Sequence, residues 1–326
     1  MPAWLDRIWS VAGRPLTRMR QIQVRSNAHF AHNVIMSLAD PTRYIDNVSA
    51  ISKIKASFRN IASQAVIDGN VPRIVHFVYG FKEPEYFPYY ALLAVRSALF
   101  HNPKWQILFH YRHEPYGEHW ESAKRILTLN QLPDFQGFGI ARIHHYAHKS
   151  DVVRLLALKY IGGVYLDIDT LTVRSFDDLR NNEFVMAVQA KHQGFQPGLC
   201  NATMLASPNS VFVSRWLTQY RSFHSKGRDY LWDFHSVKLP AMLSGSFPDE
   251  ITILDHDSFF YPMWTDVERI LLAEDSAKWQ KYLQSSYSFH LWNNFNEASL
   301  LRIDQNYIAQ SRSAYAAFVR PIPNDM

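Results

Sequence analysis

The stretch Ser150–Thr172, S-D-V-V-R-L-L-A-L-K-Y-I-G-G-V-Y-L-D-I-D-T-L-T, limits the chain most. It predicts an apolar helix, a glycine break, a short strand and a pair of carboxylates. Val152, Val153, Leu155, Leu156 and Leu158 cover most of the helix surface, so the helix must be buried. Ser150 is the expected N-cap, with Asp151 in the first turn, where the helix dipole favours an anion. Gly162 and Gly163 end the helix, because glycine takes the left-handed conformation of a helix terminus. Val164 to Ile168 then read as a strand.

Asp167 and Asp169 stand two apart, and residues two apart in a strand point to one face. Carboxylates so placed repel each other unless a cation lies between them. Hard oxygen ligands suit Mg²⁺ or Mn²⁺, and such an ion grips diphosphate oxygens. A D-x-D alone is common on solvated turns. At the end of an apolar strand, behind a buried helix, it points to metal chemistry.

Asp151 and Arg154 are three apart on one helix face, which fits a surface ion pair or two polar groups facing a cleft. Val71 to Gly80 is the first strong strand, and in an α/β sheet its C-terminal end leads to the ligand crevice. His76 within it reads as a satisfied sheet histidine. Helices are expected at Tyr89–His101, Glu118–Leu129, Val211–Phe223 and Asp233–Leu243, the last with Asp233 as N-cap. Strands are expected at Trp105–Tyr111, Ile140–His145, Phe184–Gln189, Gly198–Ala206 and Ile251–Leu254. This alternation indicates an α/β fold, a mostly parallel central sheet with helices on both faces. Phe259-Phe260-Tyr261-Pro262 reads as an aromatic loop over an acceptor, and Asp233 as the polar candidate for an acceptor-side contact.

The spacing S-D-x-x-R-x-x-x-L-x-x-x-G-G-x-Y-x-D-x-D resembles the core signature of the DXD-containing sugar transferases, glycosyltransferase family 32-like. These include yeast mannosyltransferases, capsular polysaccharide transferases, α1,4-galactosyltransferases and clostridial glucosylating toxins. V-P-R-I-V-H-F-V-Y resembles the family's I-P-K-I-I-H-x-x-W, with Tyr79 in place of tryptophan. S-F-H-L-W-N-N at Ser288–Asn294 is similar to a late H-x-W-N, so the resemblance runs over roughly Val71 to Asn294. It implies a GT-A type fold and a metal-dependent hexosyltransferase that retains anomeric configuration. Val78 and Tyr79 would hold the nucleobase. Asp151, Arg154, Tyr165, Asn201 and Trp292 would contact the donor. Asp167, Asp169 and His290 would hold Mn²⁺ or Mg²⁺, imidazole favouring Mn²⁺. Arg154 and Asp233 join the two aspartates as catalytic candidates. The donor is a nucleotide-diphospho-sugar, UDP-hexose before GDP-mannose, and the acceptor a glycan or lipid-linked glycan.

The 326 residues are read as an N-terminal extension (1–70), a catalytic domain (71–303) and a tail (304–326). Lone Cys200 excludes an intrachain disulfide and fits a reducing compartment. No apolar run is long enough to span a membrane. The net charge of +5 sits largely in the first 25 residues, five arginines against Asp6, which argues against a nucleic-acid-binding body. Trp4, Leu5, Ile8, Trp9 and Ala12 recur at helical spacing there, fitting either a helix packed on the domain or one lying on an anionic membrane. A cytoplasmic chain, peripheral on the inner face of the membrane, is the expectation. Two other readings stay open: a phosphohydrolase with D-x-D-x-T, where this chain has Leu171 in place of the threonine, and a non-catalytic carbohydrate-binding protein.

Overall fold

Strands buried on both faces build the centre of the fold. In the computed structural model, which describes residues 41–324 except 67, 140, 191–197, 224 and 273–285, seven strands form one sheet. They are β1 (Ile74–Tyr79), β2 (Gln106–Tyr111), β3 (Thr128–Gln131), β6 (Gly163–Leu166), β8 (Phe184–Val188), β9 (Leu199–Ala206) and β10 (Thr252–Leu254), in spatial order β10-β8-β9-β6-β1-β2-β3. Only β9 runs against its neighbours. Two short ribbons complete the strands among the described residues: β4 (Gly137–Phe138) with β5 (Ala141–Arg142), and β7 (Thr170–Thr172) with β11 (Ser288–His290). The Trp4/Trp9 segment lies outside the described residues. Among those described, no helix is long and apolar enough to cross a membrane.

Each face of the sheet buries its own apolar layer. On β1, Val75 and Phe77 face one layer, and Ile74 and Val78 face the other, as a period of two requires. Against the Val78 side pack α1 (Pro41–Ala62), α4 (Tyr146–Tyr160), α5 (Val211–Gln219) and α6 (Leu239–Ser246). Against the Phe77 side pack α2 (Tyr89–His101), α3 (Glu118–Lys124), α7 (Asn293–Leu300), α8 (Gln305–Gln310) and α9 (Ala314–Val319). The α/β reading with helices on both faces is what the chain adopts.

Several boundaries differ from the sequence reading. Helix α4 starts at Tyr146, with the His145 ring accepting the Ala147 N–H at 3.2 Å, so Ser150 is not its cap. Ser150 Oγ instead donates to the Tyr146 carbonyl, one turn back. The glycine stop holds: Gly162 and Gly163 have φ of +74° and +99°, and a Cβ on Gly163 would stand 2.6 Å from the Ile74 carbonyl oxygen. Strand β6 ends at Leu166, before the carboxylates. The helix expected to Leu129 ends at Lys124, and Thr128–Gln131 joins the sheet as edge strand β3. Asp233 makes no side-chain cap; it precedes a π-helical turn, Phe234–Lys238, that leads into α6.

A polar wire crosses the first three strands. His76 Nε2 donates to the Gly162 carbonyl at 2.7 Å, so its Nδ1 is bare and accepts from His110 Nε2 at 2.9 Å. His110 Nδ1 then accepts from Asn130 Nδ2, whose Oδ1 accepts from Ser57 Oγ on α1. His76 is thus the satisfied sheet histidine expected, its pKa pushed down to about 4 by burial.

Candidate active site and metal centre

The sheet changes direction between β1 and β6: from β1 the chain runs outward to β2 and β3, while β6 lies on its other side. Ligands of open α/β sheets bind at such a point, beyond the strand ends. Tyr79 ends β1 here, and Asp167 follows β6.

The two carboxylates meet on a turn, not on a strand face. The Thr170 N–H donates to the Asp167 carbonyl at 3.0 Å, folding Asp167–Thr170 back on itself. The β7–β11 ribbon then pairs His290 with Thr170 and delivers the imidazole to the same place. His290 Nε2 lies 3.3 Å from Asp169 Oδ1 and 4.0 Å from Asp167 Oδ2. Trp292 next to it is left-handed, with φ of +53°. That kink turns the Asn293 N–H onto Asp169 Oδ2 at 2.7 Å, while the Leu291 N–H takes the Asp169 carbonyl at 2.8 Å.

Each carboxylate therefore has one oxygen held by protein and one facing the imidazole. Asp167 Oδ1 accepts from the Tyr165 hydroxyl at 2.5 Å and pairs with Arg154 Nη1 at 3.0 Å. The remaining oxygens and the His290 nitrogen lie within 4.8 Å of one another. Ligand bonds of about 2.1 Å put two ligand atoms of one ion roughly 3–4 Å apart, the range in which His290 Nε2 lies from both carboxylates, so two oxygens and an imidazole nitrogen are grouped as a divalent ion requires. Among the described residues His290 Nδ1 is buried without a hydrogen-bond partner, so the carboxylates are the ring's polar engagement there.

The charges respond to this crowding. Burial pushes the Asp167 carboxyl above the usual range, and Asp169 adds to it against the pull of Arg154. Asp169 is buried too, yet His290 and the Asn293 N–H outweigh that and hold it below the usual range. His290 is raised, because the attraction of Asp169 and Asp167 exceeds the cost of burial.

Asp151 and Arg154 form an inner layer behind the turn. They are a buried pair at 3.6 Å, not a surface one. Arg154 also donates to the Asn201 carbonyl at 3.0 Å and lies over the Tyr165 ring at 4.4 Å. Asn201 donates its side-chain amide to Asp151 Oδ1 at 2.7 Å, and His148 Nδ1 lies 3.3 Å from Oδ2. His148 Nε2 reaches Ser225 Oγ at 3.1 Å, which reaches Asp229 at 2.9 Å. Sequence reasoning missed this extension. His148, three residues before Asp151, was legible from helix spacing; Ser225 carried no local signal.

The other candidates divide. Val78 is buried under the sheet, while Tyr79 is partly exposed, edge-on to Phe87 at 5.7 Å and tilted against Phe109 at 6.1 Å. The Trp292 indole lies 4.2 Å from the His290 ring and donates to the Pro262 carbonyl at 3.0 Å. Asp233 pairs with Lys238 at 2.7 Å and has no bond to either cluster. The aromatic loop is buried at Phe259 and Phe260, and Phe260 faces His290 at 6.1 Å.

Comparison with known proteins gives consistent matches. The family described as glycosyltransferase sugar-binding region containing DXD motif matches residues 88–185. Glucan organizing enzyme 1 of Cryptococcus neoformans var. grubii is 36% identical over 262 residues, 77% of this chain and 70% of that one. Toxin Afp18 of Yersinia ruckeri is 37% identical over 92 residues, 27% of this chain and 4% of the toxin. Among solved structures, the PaToxG glycosyltransferase aligns with 87% of this chain and 99% of that chain, with a TM-score of 0.38 and 15% identity. The glycosyltransferase GlyE of Streptococcus pneumoniae TIGR4 aligns with 76% of this chain and 62% of that chain, with a TM-score of 0.42 and 14% identity.

Proposed function

This chain belongs to the glycosyltransferases with a DXD-containing sugar-binding region, and from that membership we propose that it moves a hexose from a nucleotide-diphospho-sugar to a glycan or lipid-linked glycan, with a divalent ion at Asp167, Asp169 and His290. The phosphohydrolase and binding-module alternatives fall with the family membership. The convergence of one carboxylate oxygen from each aspartate on the His290 imidazole carries the proposal.

Bound there, an ion would neutralise the diphosphate and the charge that develops on the departing nucleotide. A nitrogen ligand in the set favours Mn²⁺ over Mg²⁺. Arg154 fixes Asp167 and, with Asp151, Tyr165 and Asn201, shapes the floor beneath the sugar. Trp292 covers the diphosphate side. No carboxylate stands free as a nucleophile in the inner layer, since Asp151 is taken by Asn201 and His148. Retention is the outcome the resembled families imply, and without such a nucleophile its route here is departure and attack on the same face. UDP-hexose is the donor put first, ahead of GDP-mannose.

Mn²⁺-dependent hydrolysis of UDP- and GDP-hexoses without acceptor tests the reaction. Turnover that persists in EDTA would sink the metal role. At Tyr79 the reading is stacking on the base, worth roughly 1–3 kcal/mol by analogy with single-strand binders. Tyr79→Ala should weaken the nucleoside diphosphate by roughly five- to 150-fold, and Tyr79→Trp should keep it. Titration of the free nucleotide decides this; equal affinity of the alanine variant refutes stacking. The N-terminal tryptophans and arginines are proposed to attach the chain to the inner, anionic face of a membrane. Flotation with anionic liposomes should fail once residues 1–25 are removed, and equal binding by both forms would end that idea.

A further inference from the structure

A cleft of about 550 Å³ opens where α2, α3 and the chain from Leu300 to Asn306 meet. Tyr86, Arg96, Glu118, His119, Leu300 and Asp304 line it, and none of them belongs to the site described above. Its most unusual wall is Tyr86, which is 46% exposed and yet fixed. The ring is edge-on to Tyr116 at 6.0 Å and to His119 at 6.2 Å. Its backbone is pinned on both sides, Phe87 N–H to the Tyr116 carbonyl at 2.9 Å and Tyr116 N–H to the Glu85 carbonyl at 3.1 Å. Beneath the ring lies Gly117, with φ of +107°, and a Cβ there would stand 2.5 Å from the Tyr86 ring. Glycine thus lets the ring lie down on the backbone. An exposed aromatic face held in one orientation loses little freedom when a ligand covers it.

The polar groups around that face select the ligand. Arg96 is buried behind the cleft and donates to the Asn324 carbonyl at 2.5 Å. Glu118 and Asp304 oppose its charge, so the lining has no excess of cations with which to hold a phosphate or nucleotide. A neutral, hydroxyl-rich molecule with a flat C–H face matches both features: ring on ring face, hydroxyls on mixed donors and acceptors. That is a saccharide.

Helix α7 ties the cleft to the metal centre. It begins at Asn293, whose N–H holds Asp169, and ends at Leu300 in the cleft wall. Seven rises of about 1.5 Å separate the two by roughly 10 Å along the helix. We propose that this cleft is a second saccharide site, which takes neutral sugars of the glycan acceptor beyond the one that receives the hexose. The saccharide site stands on its own geometry; its role in acceptor choice rests on the transferase reading given above.

Three hexasaccharides, of mannose, galactose and glucose, are titrated separately into the full chain in EDTA without donor. At least one should bind. Tyr86→Ala should weaken it roughly five- to tenfold, His119→Ala should also weaken it, and Tyr86→Phe should bind as the parent does. In transfer, kcat/KM for the hexasaccharide relative to the disaccharide should fall toward one in Tyr86→Ala, the disaccharide value being unchanged. Failure of all three sugars to bind, or equal binding by a folded Tyr86→Ala, overturns the site. Binding at Tyr86 by a parent chain that neither hydrolyses nor transfers from UDP- or GDP-hexoses overturns the donor reading given above instead and leaves the site standing.

Discussion

Asp169 is gripped at three points: Asn293 N–H on one oxygen, His290 on the other, and Leu291 N–H on its carbonyl. Asp167 relies on Tyr165 and Arg154. Asp169→Asn should abolish metal-dependent donor hydrolysis in a protein that still folds, with a modest fall in melting temperature because the native structure favours the charged carboxylate. Tyr165→Phe removes only the partner of a proposed ligand, and such losses cost roughly 10- to 100-fold in metal affinity. Titration of Mn²⁺ into both variants checks the order; a Tyr165→Phe protein that binds the ion like the parent would make that hydroxyl bond incidental. Trp292 combines two roles, its ring against His290 and its left-handed backbone. A side chain at positive φ costs about 1 kcal/mol relative to glycine. Trp292→Gly should therefore be the more stable of the glycine and alanine variants, while both lose activity alike if the ring is what matters. Near-parental turnover in Trp292→Gly would assign the role to the backbone alone.

At the scale of elements, the wire through β1, β2 and β3 has a direction, and it needs both histidines neutral. Burial lowers the pKa of each, His76 to about 4. In the unfolded chain a histidine titrates near 6.5. The wire's contribution is therefore complete above about pH 6.5 and is lost as pH falls toward the folded value, worth about 3 kcal/mol for His76 alone. Urea midpoints should fall between pH 7 and pH 4.5, and the fall should shrink in a His76→Gln/His110→Asn protein; an identical fall in both would remove the pair as its cause. None of this wire was legible beyond His76, because its members are separated in sequence and meet only once the strands pair. The helix, glycine stop and strand of Ser150–Leu166 were legible, since propensity, burial and the φ demand of Gly162 and Gly163 all act locally. The turn at Asp167–Thr170 was not: D-I-D-T has no glycine or proline, and the ribbon to Ser288–His290 imposes the bend. Edge strand β3 was lost for the same reason, its partner β2 being supplied by the sheet. Asp233 fits an N-cap by residue type and position, yet its carboxylate pairs with Lys238 instead.

For the whole molecule, the sheet sets Tyr79 and Asp167 beyond the ends of two neighbouring parallel strands, and the late β11 ribbon brings His290 to Asp169. The proposed ion would touch residues that the chain supplies at two widely separated times. Asp169 and Asn293 are 124 positions apart, and His290 leaves the ribosome after every strand of the main sheet. N-terminal parts fold first during synthesis, and bringing distant segments together costs loop-closure entropy that only later contacts repay. A growing chain would thus carry both carboxylates early but acquire the imidazole only near its completion. Metal uptake then becomes a completeness check: a chain arrested before residue 290 could hold its sheet yet grip the ion poorly, and so remain silent toward nucleotide-sugars until the last ribbon is in place.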